Sequence, residues 1–435
     1  MSSDAGTLRR VVGLWAAVLS GTGVIVGAGI YVLVGEAAGL AGNGAWLGFL
    51  LASIVAAFTA VTYARMGKRV PKDSPEFQYG RVGLGFRGGF LAGWLMIWAD
   101  VVSVAAVSLG FAGYFHSLTG VPIVPAGLGL LAVLSLLTWV GIRESILLVG
   151  VLSLLEMAGL VLVIAVGIPH WGEQPLLDIP KGPSGVWSAA ALVFFAYLGF
   201  DELGNLAEEM RTPEKDLPRA IVLAMIISTA LYIMTAVSAI SLVGWQVLSA
   251  SDAPLADAIQ ATLGPTWRTA LALIALAATG STVLLLLVSV SRSLFGMAVA
   301  GALPTQLRQI GNRRTPWVSI LVAWAISSLF LLVGNIVLVA QATNFLVLVA
   351  FILVNLSLLM VLRKELGKGS SSPILRVVWY LQPVLGILTC LWLLAVTGWT
   401  AAVVGIVLAF MGLAVGKWME VRGTGRNGAP GPLGP

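Results

Sequence analysis

The apolar run 188–198 is long enough to enter a bilayer, yet where a membrane helix should continue the chain reads Gly199-Phe200-Asp201-Glu202-Leu203-Gly204. A carboxylate near the centre of a membrane costs roughly 3 kcal/mol or more, so it is kept only where it faces protein, water or a ligand. Glycine lets the backbone unwind, and non-helical backbone at that depth persists only where protein buries it or a cavity adjoins it. The first apolar run carries a matching break, Gly21-Thr22-Gly23-Val24-Ile25-Val26-Gly27-Ala28-Gly29. Two interrupted spans, one opening each half of a chain, are the pattern of a secondary carrier with its site between them.

The remaining sequence is consistent with that setting. Of 435 residues 58% are hydrophobic and only 10% charged, where soluble domains carry about 25% charge; mean hydropathy is +0.98. Stretches of about 20 apolar residues, the length that crosses the hydrocarbon, fall at 11–35, 43–65, 86–114, 123–141, 146–168, 187–209, 219–244, 267–299, 317–334, 336–362, 374–394 and 396–418. The expected fold is an all-α membrane protein of twelve transmembrane helices. Lys and Arg favour cytoplasmic loops. With both termini inside, all of them but Lys181 and Arg268 lie on the cytoplasmic side. This asymmetry accounts for the net charge of +6 through an anionic inner leaflet, and calls for no nucleic acid. Arg9-Arg10 before the first span reads as the cytoplasmic flank of an uncleaved helix, since the apolar run exceeds that of a signal peptide. The one cysteine, Cys390, lies in an apolar span and rules out a disulfide within the chain; His116 and His170 are too few and too far apart to argue for a metal. No cofactor motif is present. The Gly- and Pro-rich stretch 423–435 reads as disordered.

At the two breaks the sequence resembles the amino acid–polyamine–organocation (APC) superfamily. The matching words are Gly27-Ala28-Gly29-Ile30-Tyr31 in span one and Phe194-Phe195-Ala196-Tyr197-Leu198-Gly199-Phe200-Asp201 in span six. They are followed by Ala207-Glu208-Glu209 and Thr212-Pro213-Glu214-Lys215-Asp216-Leu217-Pro218. Further words are Gly141-Ile142-Arg143-Glu144-Ser145, Ser291-Arg292, Gly301-Ala302-Leu303-Pro304 and Val354-Asn355-Leu356-Ser357. The resemblance implies a cytoplasmic N-terminus (1–10), a five-helix repeat (11–168) and a second, inverted five-helix repeat (187–362). Broken helices one and six open the two repeats, two extra helices follow (374–418), and a cytoplasmic tail (419–435) ends the chain. It implies amino acid permeation by the leucine-transporter-like fold.

An amino acid presents a carboxylate and an ammonium that unwound backbone can receive: N–H groups at the start of a half-helix take the first, freed carbonyls the second. The donors would be the backbone of Gly27, Ala28 and Gly29. By position in the family pattern, the acceptors would be carbonyls of Ile25, Phe195, Ala196 and Leu198, beside Gly199, with the Phe195 ring covering the substrate. The plainer reading of the glycines is close helix packing. Asp201 reads as a cap for the N–H groups of Leu203 and Gly204. Glu202 stands where the family word has a small residue; it would meet a cationic substrate, take a proton or face the cytoplasmic vestibule. Glu208 and Glu209 read as partners of basic loop residues.

Counting from Gly141, Glu156 stands where proton-coupled relatives often carry a lysine, and where sodium-coupled members of the fold bind an ion. Its neighbours there would be Gly23, Val26, Ser281 and Thr282. A proton neutralises a buried carboxylate without a ligand shell, and sodium is the alternative. The plain reading is a neutral Glu hydrogen-bonding a hydroxyl. Asp100 in span three is balanced between a proton or substrate role and a structural hydrogen bond. Asp73-Ser74-Pro75-Glu76-Phe77 departs from the family's Gly-Gly-Glu-Tyr, a difference in gating. A channel would need a continuous polar pore and a membrane enzyme a nucleophile–base set, and neither is present; a non-transporting sensor on this fold is a further reading. The few acids at the pocket favour neutral amino acids as substrates, in exchange or in symport.

Overall fold

Backbone in a bilayer must satisfy its own hydrogen bonds, so a chain of this composition can cross as helices. Residues 12–70, 74–141, 146–204, 210–299, 303–311, 313, 315–366 and 373–424 are described by a computed structural model. Residues 1–11, Ile142–Ser145, Glu208, Glu209, Gly301-Ala302, Asp73 and the tail beyond 424 lie outside them, with the expectations attached to each.

Fourteen α-helices are present among the described residues: α1 (Leu14–Val26), α2 (Gly29–Ala41), α3 (Ala45–Arg69), α4 (Pro75–Thr119), α5 (Ile123–Val140), α6 (Ile146–Gly167), α7 (Gly182–Val193), α8 (Pro213–Ser249), α9 (Pro254–Leu263), α10 (Pro265–Val299), α11 (Trp317–Leu331), α12 (Ile336–Leu366), α13 (Pro373–Val396) and α14 (Trp399–Thr424). Proline opens several of them, where its missing N–H would find no helical partner in any case. Extended pairing is limited, among the described residues, to a single bridge between Val12 and Met210.

Nine helical segments among the described residues are long and apolar enough to cross a membrane. The shorter apolar helices are Leu14–Val26, Trp317–Leu331 and Trp399–Val415. Several helices outrun the apolar stretches that announce them. α4 begins at Pro75 rather than near 86 and bends at Gly85 (φ 79°), and α8 runs from 213 to 249 with a bend at Gly244 (φ 74°). Hydropathy marks the membrane-embedded part of a helix, whereas hydrogen bonding carries the helix on into water. The short helix α9 has no counterpart among the expected spans.

Helices α4 and α12 pack along one another at the centre, α10 packs on α4, and α3 packs on α8. α13 joins α3 through a polar chain: Gln382 Nε2 donates to Thr62 Oγ1 (2.8 Å), which donates to Asn355 Oδ1 of α12 (2.6 Å). α14 is held to α4 by the Trp94 indole, which donates to the carbonyl of Leu408 (3.0 Å). Arg69 grips Glu365 with two hydrogen bonds of 3.1 and 3.0 Å at one end of α3 and α12.

Candidate functional site

The two broken segments run antiparallel over most of their length, although the Val12–Met210 bridge at one end is itself parallel. The N–H of Arg211 donates to the carbonyl of Val12 (3.0 Å). Further along, a Cβ built on Gly21 would fall 2.6 Å from the Leu203 side chain, and one on Gly199 would fall 3.1 Å from the Val24 carbonyl. One on Gly29 would fall 2.5 Å from Ala196 Cα. At the far end Lys181 Nζ donates to the carbonyl of Gly39 (2.9 Å). As one segment is followed forward its contacts step backward along the other, so the two interruptions lie side by side.

The first break is brief. α1 ends at Val26, and Gly27 (φ 11°, ψ −142°) turns the chain while its N–H donates to the carbonyl of Gly23 (3.1 Å). Of the three expected backbone donors, Gly27 is therefore committed to α1. Ala28 and Gly29 precede the first bond of α2, which runs from Val32 N–H to the Ala28 carbonyl (3.1 Å). Their N–H groups sit at the positive end of that helix.

The second break is long. α7 ends at Val193, a 3-10 turn spans Phe194–Tyr197, and Leu198 is extended. Gly199 has φ 118°, a conformation that a side chain would oppose. Here the structure differs from expectation at Asp201. Its Oδ1 accepts from the N–H of Gly199 (2.9 Å), and the Gly204 N–H goes instead to the Asp201 carbonyl (2.9 Å). The side chain turns back because residues 202–204 form their own 3-10 turn, which uses the backbone acceptor. Phe195 is 9% exposed and Ala196 is buried.

Two side chains from other helices tie the breaks down. Tyr232 of α8, fully buried, places its hydroxyl 2.5 Å from the carbonyl of Ile25 and 2.7 Å from that of Ala196. A hydroxyl has one proton, so the two carbonyls share it, and each keeps a lone pair. Asn344 of α12 donates to the carbonyls of Ala191 (2.7 Å) and Leu192 (2.9 Å) at the end of α7. Neither is marked in the sequence, because an isolated Tyr or Asn in an apolar helix has no local signature.

Glu156 of α6 sits beside the first break. Ser281 Oγ of α10 donates to its Oε1 (3.0 Å), and Tyr31 of α2 donates to its backbone carbonyl (2.6 Å). One turn away on α6, Ser153 fills the space at Gly23: a Cβ there would fall 2.4 Å from Ser153 Oγ. Thr282 Oγ1 lies 3.2 Å from where a Gly27 Cβ would be, and Val26 is buried. Thr282 itself donates to the carbonyl of Ala278 (2.8 Å). Thr22 Oγ1 is buried with no hydrogen-bond partner among the described residues. Gly23, Gly27, Glu156, Ser281 and Thr282 are thus one neighbourhood, to which Ser153 is an addition.

The other acids gather elsewhere. Asp100 of α4 is within electrostatic reach of Glu202, Asp201 and Glu76 rather than of Glu156. Glu76, in the divergent 73–77 word, is buried and accepts from the Tyr63 hydroxyl (2.8 Å). The Tyr63 ring in turn packs edge-on against Phe200 and Phe351. On the other side of the first break a cavity of about 300 Å³ is lined by Val32, Glu36, Tyr114, Asp252 and Asn335, among others.

The candidate site is built from backbone at two adjacent breaks. Residues 16–415 match the family described as amino acid permease. The chain is 31% identical to the branched-chain amino acid permease BcaP of Bacillus subtilis, over 95% of this chain and 94% of that one. It is 29% identical to the methylthioribose transporter of the same organism, over 90% and 89%. It is also 29% identical to cationic amino acid transporter 4 of Mus musculus, over 86% of this chain and 63% of that one. These are families of transporters rather than enzymes, and the apolar helices are those of a multi-pass membrane protein. The chain therefore belongs to the amino acid permease family of the APC superfamily.

Proposed function

We propose that this permease is a secondary carrier that moves amino acids across the cell membrane by alternating access around the two breaks, driven by protons. The observation that carries the reading is the antiparallel register that sets Gly29 against Ala196. It juxtaposes the positive end of α2 with carbonyls freed by both breaks, one end for each charge of an amino acid. The same register supports two inverted repeats of five helices; the apolar segments and the Lys/Arg asymmetry support twelve spans with both termini cytoplasmic. Phe195 would cover the substrate, with Leu198 and Gly199 completing the second break.

Glu156 is the proposed coupling group. An isolated carboxylate in apolar surroundings is costly, and one hydroxyl, from Ser281, does not make a sodium shell. Asp100 and Glu202 would act with the second group of acids. The similarity to a branched-chain permease supports neutral, apolar substrates. The acid cluster around Asp100 and Glu202 favours a second reading, cationic amino acids, as in the name of the mouse relative.

The test is counterflow of labelled leucine and of labelled arginine into proteoliposomes. An inward proton gradient should accelerate uptake without sodium. Glu156→Gln, which mimics the protonated carboxyl, should lose that acceleration and retain exchange. Strict sodium dependence would move the ion to a site with Ser281 and Thr282. Saturable binding with no flux would make the protein a sensor.

A further inference from the structure

We propose that the membrane-facing groove between α5 and α11 binds one anionic phospholipid, with an acyl chain along the groove and the phosphate at Arg313. The groove encloses about 410 Å³ and is lined by Ser135, Leu136, Trp139, Trp317, Leu321 and Trp324, with two further apolar residues. Trp139 stands at the C-terminal end of α5 and Trp317 opens α11. Tryptophan at the end of an apolar helix marks the level of the lipid headgroups.

A cation is held at that level. The Arg313 guanidinium lies 5.4 Å from the centroid of the Trp139 ring, within the range of a cation–π contact. Its segment is pinned to α5 by the Thr315 hydroxyl, which donates to the Trp139 carbonyl (2.9 Å). The groove thus has one charged end and an otherwise apolar length, the polarity of a phospholipid with a net negative headgroup.

Deeper in, the groove is walled by apolar surface. Ser135 is one turn below Trp139, and Trp324 is two turns below Trp317, or about 6 and 10 Å along the helix axes. Ser135 is only 8% exposed. Its hydroxyl and the Trp324 indole N–H are both buried without a hydrogen-bond partner among the described residues. Neither atom opens into the groove, so its wall is apolar at this depth, and the cation at one end is what distinguishes an anionic phospholipid from a hydrocarbon or a second copy's apolar face.

The experiment is native mass spectrometry of the full chain in mild detergent with phosphatidylglycerol and phosphatidylcholine of identical acyl chains. The wild type should retain phosphatidylglycerol by about fivefold over phosphatidylcholine, the scale of one basic residue at an anionic surface. Arg313→Gln, an exposed substitution, should remove the preference. Leu321→Trp should fill the groove and lower retention of both lipids, and Leu136→Phe serves if that variant does not fold. Trp399→Phe, at an exposed position outside the groove, should change nothing. Equal retention of the two lipids by the wild type, or a preference that survives Arg313→Gln, would overturn the site. Efficient cross-linking of Leu136→Cys between two copies would assign the groove to a second chain instead.

Discussion

The two breaks lie side by side yet are made in different ways. The first consumes two residues between α1 and α2, and is shaped by glycine and by the backbone packed against it. The second takes 194–204, with 3-10 turns on both sides of Gly199, and is tied by side chains: Asp201 within the segment, Asn344 and Tyr232 from outside. Neither break tolerates added volume at its glycines, Gly29 and Gly199, but the second depends in addition on several polar side chains whose loss would strip its backbone of partners. The two breaks thus share close packing and the Tyr232 hydroxyl, and differ in how many further polar side chains hold them.

The sharpest way to break this contrast is Gly29→Leu. Its first added carbon already meets Ala196 Cα at 2.5 Å, and overpacking typically costs about 1–3 kcal/mol. Substrate binding and uptake should vanish while folded protein is still recovered. Gly13→Ala in the same segment, where nothing lies within 4 Å, should leave uptake normal. Retained affinity in a folded Gly29→Leu protein would dismiss the proposed carboxylate site.

Next in size is Asn344→Leu, which conserves bulk but strips two carbonyls of α7 of their donor. A loss of about 2 kcal/mol is expected, read as a lower melting temperature and weaker uptake. Were Asn344→Leu as stable as the wild type, the side-chain-held character of the second break would be wrong. Tyr232→Phe should do less, about 1 kcal/mol, because the ring keeps its packing on Phe49 and Tyr197. The half-saturating substrate concentration should shift about fivefold, in keeping with one lost hydrogen bond. An unaltered Tyr232→Phe protein would mean that the shared hydroxyl does not couple the breaks. Glu365→Gln, at a partly exposed pair distant from both breaks, should cost no more than about 1 kcal/mol. A larger loss of transport there would show that the end of α3 and α12 governs the cycle.

Much of this arrangement could be read before any geometry. Gly27–Gly29 and Gly199–Asp201 mark their own positions, since glycine and carboxylate are conspicuous in apolar runs. The association of Glu156 with Ser281 was anticipated through family resemblance, not through any local pattern. The direction of the Asp201 hydrogen bond is not legible in the sequence: a cap can face forward or back, and only the 3-10 turn at 202–204 decides. Glu76 stands out in the sequence as a departure, but its burial against Tyr63 is set by packing between α3 and α4 and has no local mark.

The sequence alone determined that the chain is helical and membrane-embedded, and where its helices are interrupted. Those are consequences of hydropathy and backbone freedom, which act over a few residues. Tertiary structure decided which groups satisfy the freed backbone: Tyr232 reaches Ile25 across 207 residues, and Asn344 reaches Ala191 across 153. A one-residue change of register rotates a helical side chain by about 100°. The partner of an orphaned carbonyl therefore depends on how whole helices are turned and packed, which no local stretch of sequence specifies.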